Sequence, residues 1–351
     1  MNRKDQPKPS LSSPRKILLI RLRRSGDIVM TTPAVAALKR ALPHASLTYI
    51  VEEPYRRLIE GHPDIDDIIL IPPHQGLISF LGFILRVRRE KFDIVVDFHG
   101  GPRASRITWL SRAELKVGYE LKGKGFFYDI RVPRNREGAP IHSVENHLNL
   151  VRAAGVEVNA PWPRLILPAA RKEEKERIDK LWTDHRLQGA KVVVLHVGAG
   201  NKFRDWGAPN LGQLAGHLAG LPGVQVVLVG SGEDVPRAEE VRKIFPKSVL
   251  SLAGELNLIE LREVIGRATL FVGPDSGPMH IAATTATPIV ALFGPTLPAN
   301  FSPWQAEATI IAKDLDCRPC KQRRCLTEDF RCLQGITVDE VLKACRPYLC
   351  A

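Results

Sequence analysis

The chain has 351 residues, long enough for two ordinary domains with separate cores, and its 44% hydrophobic and 25% charged content is that of a globular protein in water. No apolar run approaches the roughly 20 residues a spanning helix needs, and residues 1–13 lack the apolar centre of a secretory signal, so a cytoplasmic location is expected. The net charge of +12 is uneven, with residues 1–164 carrying 27 of the 50 Lys and Arg but only 17 of the 38 Asp and Glu. Such an excess suits an anionic partner or solubility alone, and no helix-turn-helix, zinc-finger or aromatic single-strand signature accompanies it, which argues against nucleic acid.

Residues 1–14, with Pro, Ser and Lys throughout, read as a disordered lead-in. Residues 16–20 then read as a strand, 34–42 as a helix closed by Pro43, and 47–51 as the next strand. Between the first strand and the helix stands Arg21-Leu-Arg-Arg-Ser-Gly26-Asp27. Gly26 permits a tight turn at the strand's carboxyl end, which puts Asp27 at the sheet edge, where α/β proteins keep their chemistry. A lone Asp there serves equally as a helix cap. Residues 68–71 follow as a strand, 77–89 as a helix with a basic end, and 92–98 as a strand ending in His99-Gly-Gly-Pro-Arg103. This alternation predicts a parallel, doubly wound sheet. Arg86, Arg88 and Arg89 suit a solvated helix face, whereas Arg103 and Arg106, placed after a strand end, are candidates for an anionic ligand. Residues 116–133 are Gly-rich and irregular, and 146–154 read as a closing helix.

Pro161-Trp-Pro163 with Pro168 marks a linker, giving a first domain over residues 15–165 and a second over 166–351. Residues 171–184 predict a charged helix and 191–197 a buried strand ending in Gly198-Ala199-Gly200-Asn-Lys202-Phe-Arg204, small residues followed by two cations that suit a phosphate. A helix over 210–219 and a strand over 224–229 lead to Gly230-Ser-Gly-Glu233, whose carboxylate suits ribose hydroxyls. After a helix over 258–266 comes the most informative stretch, Phe271-Val-Gly-Pro-Asp275-Ser276-Gly277-Pro-Met-His280. It reads as buried strand, turn and helix start, with Pro288 announcing the next strand. Free backbone N–H groups at such a start suit an anion, although Asp275 and Ser276 also read as plain helix caps.

Six cysteines close the chain: Cys317-x2-Cys320-x4-Cys325-x6-Cys332, then Cys345 and Cys350 beyond a helix over 338–344. A disulfide framework is not expected in the cytosol. The four clustered thiols have the spacing for a structural zinc or iron–sulfur centre, or they form a compact reduced loop over 317–332.

Together, Arg21-x-Arg-x-Ser-Gly-Asp27 with Thr-Thr-Pro33, the Gly-Ala-Gly200 loop with Arg204-x-Trp206, the Gly-Ser-Gly-Glu233 strand end, and Asp-Ser-Gly-Pro-Met-His280 with Phe-Gly-Pro-Thr296 resemble the ADP-heptose:lipopolysaccharide heptosyltransferase family, glycosyltransferase family 9. The resemblance is greatest to the heptosyltransferase II type and runs from about residue 16 to 347. It implies a GT-B fold: two Rossmann-like domains facing across a cleft, the first binding the acceptor and the second the nucleotide sugar. It also implies inverting, metal-independent transfer of heptose from ADP-heptose to the lipopolysaccharide inner core. The resemblance further implies that no cofactor is required, that the acceptor is lipid A-Kdo or a heptosylated core, and that the enzyme touches the inner membrane peripherally.

By motif, the catalytic base falls on Asp27 and the phosphate loop on Ala199 and Gly200. The phosphate-neutralising cation falls on Arg204, where lysine is usual, and Lys202 can share that task. Glu233 falls where the ribose is held, the backbone near Leu256 where adenine is held, and Asp275, Ser276, Gly277 and His280 where sugar and diphosphate are held. Two other readings stand beside this one: a transferase of the same family using another nucleotide-activated sugar, and a non-catalytic binder of anionic glycan. Asp27 speaks against the binder, because a carboxylate repels a polyanion.

Overall fold

Runs of Val, Ile and Leu that do not alternate with polar residues suit strands buried on both faces. They form two six-stranded parallel sheets. The computed structural model describes residues 14–72, 76–121, 123, 125–134, 140–244 and 249–349. The lead-in expected over residues 1–14 lies, but for its last residue, outside these, as does Cys350. The chain divides into two compact units, the first ending at Pro168 and the second beginning at Ala169.

The first unit runs β1 (Lys16–Ile20), α1 (Ser25–Val29), α2 (Thr32–Ala41), β2 (Ser46–Glu52), β3 (Asp67–Ile71), α3 (Leu77–Arg89), β4 (Ile94–Asp97), α4 (Pro102–Leu110), β5 (Leu115–Tyr119), β6 (Ile130–Val132) and α5 (Ser143–Ala153). Its strands lie in the order β3-β2-β1-β4-β5-β6. β1 is thus flanked by β2 and β4, with Ile20 beside both Ile50 and Asp97. The chain winds outward in both directions from this pair, so the loops after β1 and β4 part at a topological switch point, where α/β sheets open a crevice. The centre of the sheet is sealed, with Ile17 to Ile20, Leu47 and Tyr49 to Val51 wholly buried.

The second unit runs α6 (Lys172–Asp184), β7 (Lys191–His196), α7 (Ala208–Ala219), β8 (Val224–Val229), α8 (Val235–Ile244), β9 (Val249–Ser251), α9 (Leu258–Gly266), β10 (Leu270–Pro274), α10 (Gly277–Ala282), β11 (Ile289–Phe293), α11 (Pro298–Phe301), β12 (Ala308–Ala312), α12 (Arg331–Gln334) and α13 (Val338–Leu349). Its order, β12-β11-β10-β7-β8-β9, repeats the first pattern, with the switch point between β7 and β10.

Three expectations need correction. The stretch expected to be irregular over 116–133 contains β5, β6 and a 3-10 turn, Gly125–Phe127. Gly118 reads as a breaker but lies inside β5, where the Tyr128 ring occupies the place of a side chain: a Cβ there would come within 2.3 Å of Tyr128 Cε1. Gly26, expected in a tight turn, lies within α1. The last helix does not stop at residue 344 but runs through Pro347 to Leu349, so Cys345 belongs to it and packs in the second unit's core with Leu333, Ile336 and Val341.

Candidate functional site

At the first unit's switch point the chain leaves β1 through Arg21, whose guanidinium is almost buried. Arg21 donates from Nη1 to the Phe98 carbonyl at 2.8 Å and from Nε to the Arg23 carbonyl at 3.1 Å. Its Nη2 pairs with Asp27 Oδ2 at 2.5 Å, and the Asp27 side chain remains 32% exposed. A pinned arginine therefore sets the direction of a reachable carboxylate.

Across the switch point, Asp97 ends β4 in complete burial. It accepts the N–H groups of His99 and Gly100 at 2.8 and 2.9 Å and the Tyr128 hydroxyl at 2.7 Å. Burial pushes its carboxyl up. Its role is to shape the loop that carries His99. Burial, then the charges of Arg21 and Arg23, push the His99 imidazole down to about 4, against an opposing pull from Asp27. His99 is therefore neutral at neutral pH. Arg134, which also faces His99 electrostatically, lies over the Tyr119 ring at 4.2 Å.

Arg103 and Arg106 both stand on α4, a helix that begins at Pro102. Arg103 is committed to the protein: it donates to the Pro72 carbonyl and lies 3.6 Å from Glu52. Burial, and then the charges of Arg23 and Arg106, lower its pKa, so three guanidiniums share this edge. Arg106 is exposed and bonds within its own helix, from Nε to the Pro102 carbonyl at 3.2 Å.

At the second unit's switch point the predicted residues after β7 and β10 come together. Asp275 is 3% exposed. Its Oδ2 accepts from the Thr296 hydroxyl at 2.6 Å and lies 3.5 Å from Arg204 Nη1, and its Oδ1 lies 3.9 Å from His280 Nε2. Arg204 also donates from Nη1 to the Asp275 carbonyl at 3.0 Å and from Nε to Gln322 at 3.1 Å. These bonds orient the guanidinium without using its Nη2. Ser276 precedes α10 but makes no cap bond. Its hydroxyl instead lies 3.2 Å from His196 Nδ1, and burial pushes His196 down to about 4. The plain-cap reading of Asp275 and Ser276 therefore fails: both side chains tie β10 to its neighbours.

Gly200 takes a φ of +68° in open space, and Gly198 has no room for a Cβ, which would come 2.4 Å from Asp234. Ala199 is half-buried, while Gly200 and Lys202 are exposed. Glu233 is exposed in the turn after β8. Leu256 follows β9, in the segment after Gly254, whose N–H bonds the Gly230 carbonyl at 3.0 Å. The residues thus occupy adjacent loops on one edge: Asp275 to His280 after β10, Ala199 to Arg204 after β7, Glu233 after β8 and Leu256 after β9.

The four clustered thiols line one cavity with Phe203, Pro295 and Phe330. The Thr327 hydroxyl, and more weakly the backbone N–H groups of Phe330, Thr327 and Glu328, lower the Cys325 pKa. Burial, then the charges of Cys317, Cys320 and Cys325, raise that of Cys332. Among the described residues no three ligand-type side chains are spaced to hold one metal ion. What the loop does is brace the neighbouring site. Gln322 takes bonds from Asn201 and Arg204, and Arg318 donates to the Thr296 carbonyl at 2.7 Å. Burial in the core raises Cys345 to about 12.

From sequence alone Arg21, His99 and Thr296 carry no assigned role although they stand in quoted motifs, and neither do Arg134, His196 and Gln322. His99 and His196 each stand at the end of an apolar strand, a signal that was available. Gln322 meets Arg204 across 118 positions, which no local pattern reports.

Two doubly wound units, each with polar loops gathered at its switch point, make up the GT-B class of fold that this chain shares with solved heptosyltransferases. The chain belongs to glycosyltransferase family 9 (heptosyltransferase), whose model matches residues 81–330. It is 27% identical to lipopolysaccharide heptosyltransferase 3 of Escherichia coli, over 81% of this chain and 84% of that one. It is 26% identical to lipooligosaccharide heptosyltransferase 2 of Haemophilus influenzae, over 84% and 88% of the two chains. Its fold is similar to that of E. coli ADP-heptose lps heptosyltransferase II, with a TM-score of 0.78 at 22% identity over 95% of this chain and 98% of that one.

Proposed function

We propose that this glycosyltransferase moves heptose from ADP-heptose to the lipopolysaccharide inner core with inversion, and that the transfer itself uses no metal. The observation that carries this reading is the order of loops on the second sheet. From β10 through β7 and β8 to β9 they offer, in turn, the Asp275–His280 cluster, the Ala199–Arg204 loop, the Glu233 carboxylate and the backbone near Leu256. A nucleotide sugar laid along that edge meets groups suited to sugar, diphosphate, ribose and adenine in its own covalent order. The names of the relatives, heptosyltransferases of lipopolysaccharide, favour heptose and the core acceptor over another activated sugar.

Glycosyl transfer builds positive character at the sugar carbon and negative charge on the departing diphosphate. Arg204, with Lys202 beside it, and the backbone N–H groups of Gly200 and Gly277 stabilise that charge as it forms. Inversion needs a carboxylate to take the acceptor hydroxyl's proton, and Asp27 of the first unit is that base. Arg106, with Arg103 behind it, meets the acceptor's anionic groups. The acceptor, lipid A-Kdo or a heptosylated core, is borne on the inner membrane, so the enzyme works peripherally at that surface. No helix among the described residues is long and apolar enough to cross it.

The test is Asp27→Asn. Turnover should fall by about 10²–10⁴-fold, the usual range for loss of a general base, while ADP-heptose affinity measured by calorimetry stays close to that of the parent. Retained turnover in a folded Asn variant removes Asp27 from the mechanism.

A further inference from the structure

The helix α3 is apolar on more than its buried side. Phe83, Ile84 and Val87 enter the first unit's core. Yet Ile78, Leu81 and Leu85, at spacings of three and four that place them on one line of the helix, are 87%, 51% and 51% exposed. The helix α4 packs against α3 and against the turn Gly125–Phe127. It adds Trp109, 50% exposed, in edge contact with the 68% exposed Phe126 at a ring separation of 6.4 Å. These five make up most of the eight exposed large hydrophobic side chains among the described residues. A concentration of this kind on one face marks a contact surface.

The charge around the patch is predominantly positive. Neither Leu77–Arg89 nor Pro102–Leu110 contains an Asp or Glu. Arg86, Arg89 and Arg112 are exposed there. Of the nearby acids, Glu90 is paired with Lys16 at 3.0 Å and Asp129 with Lys116 at 2.8 Å, leaving Glu114 as the exposed exception.

We propose that this α3–α4 face is where the enzyme lies on an anionic bilayer. Ile78, Leu81, Leu85 and Phe126 enter the boundary between head groups and acyl chains, Trp109 sits at that depth with its amphipathic ring, and the arginine heads reach the phosphates. A second copy of this chain is a poor occupant, because a two-fold contact would press one arginine rim against another. The inference rests on the reading that the acceptor is membrane-borne, and it names the surface that meets that membrane.

The experiment compares the parent with Ile78→Ser/Leu81→Ser/Leu85→Ser and with Arg86→Gln/Arg89→Gln. Each is assayed by co-sedimentation with phosphatidylglycerol-rich and pure phosphatidylcholine vesicles. The parent should pellet with the anionic vesicles and be released by salt. The serine variant should lose binding at least tenfold. The glutamine variant should lose about fivefold per arginine, the equivalent of roughly 1 kcal/mol for each basic side chain near an anionic surface. Turnover on a delipidated, water-soluble core oligosaccharide should be unchanged in both, which also shows that they fold. If the parent fails to pellet, or the variants pellet like the parent, the face is not the membrane surface, whatever the transfer assay shows. If light scattering finds a parental dimer that the serine variant splits, the face belongs to self-association and the proposal falls. Absence of transfer from ADP-heptose by the parent would instead strike the functional reading.

Discussion

Arg204 and Asp275 lie 3.5 Å apart at the second switch point, and the task proposed for the arginine is to neutralise the diphosphate. Its Nε and Nη1 are held by Gln322 and the Asp275 carbonyl, so the guanidinium is set before any ligand arrives. A preset cation stabilises developing phosphate charge without reorganising during the reaction. Arg204→Ala should therefore weaken ADP at least tenfold, as expected for a lost charge-assisted bond of about 1.5–3 kcal/mol, and leave adenosine affinity nearly unchanged. Calorimetry with both ligands checks this, and equal weakening would move Arg204 out of the phosphate site. The placing of Asp27, Arg204 and Asp275 in segments that follow apolar strands was legible in the sequence, because α/β folds put their chemistry there. Gln322, Arg134 and Tyr128 were not, because their partners come from distant loops. Arg103 shows what position alone leaves out: its place after a strand was legible, but not that its guanidinium braces α4 against Glu52 and Pro72.

Among elements, β5 shows how a local signal misleads. Gly118 and the glycines beyond it suggest a loop, yet the strand forms because the Tyr128 ring fills the space a side chain would take, and Tyr128 in turn holds Asp97 and Ser105. Gly118→Ala should thus lower stability by about 1–3 kcal/mol through overpacking, or roughly 2–4 °C in Tm for each kcal/mol. Gly82→Ala, in α3 with nothing within 4 Å of the added Cβ, should be neutral or raise Tm. Calorimetric melting of the two variants separates them, and a Gly118→Ala protein that melts like the parent would show that Tyr128 moves aside freely. The strands with sealed apolar runs, β1, β8 and β11, were read directly. The half-exposed β12 and the three-residue β9 offer too little pattern for that.

For the whole molecule, the uneven charge acquires a structural address. The first unit gathers Arg21, Arg23, Arg103, Arg106 and Arg134 around the Asp27 switch point, and its α3–α4 face adds Arg86 and Arg89. The second unit carries the ordered row of loops from Asp275 to Leu256. The doubly wound class and the order of the motifs were readable in advance because strand-end chemistry is local. The strand orders, and with them the two switch points, become visible only once the sheets are assembled. The proposed reaction is metal-free, inverting transfer from ADP-heptose by these two sets of groups. Its most direct measurement is the anomeric configuration, by NMR, of the product formed from ADP-heptose and an inner-core acceptor in excess chelator. The expected product is a heptosylated acceptor whose anomeric centre is inverted relative to the donor, formed at a rate the chelator does not change. A retained configuration, or transfer that stops on chelation and returns with metal, would contradict it.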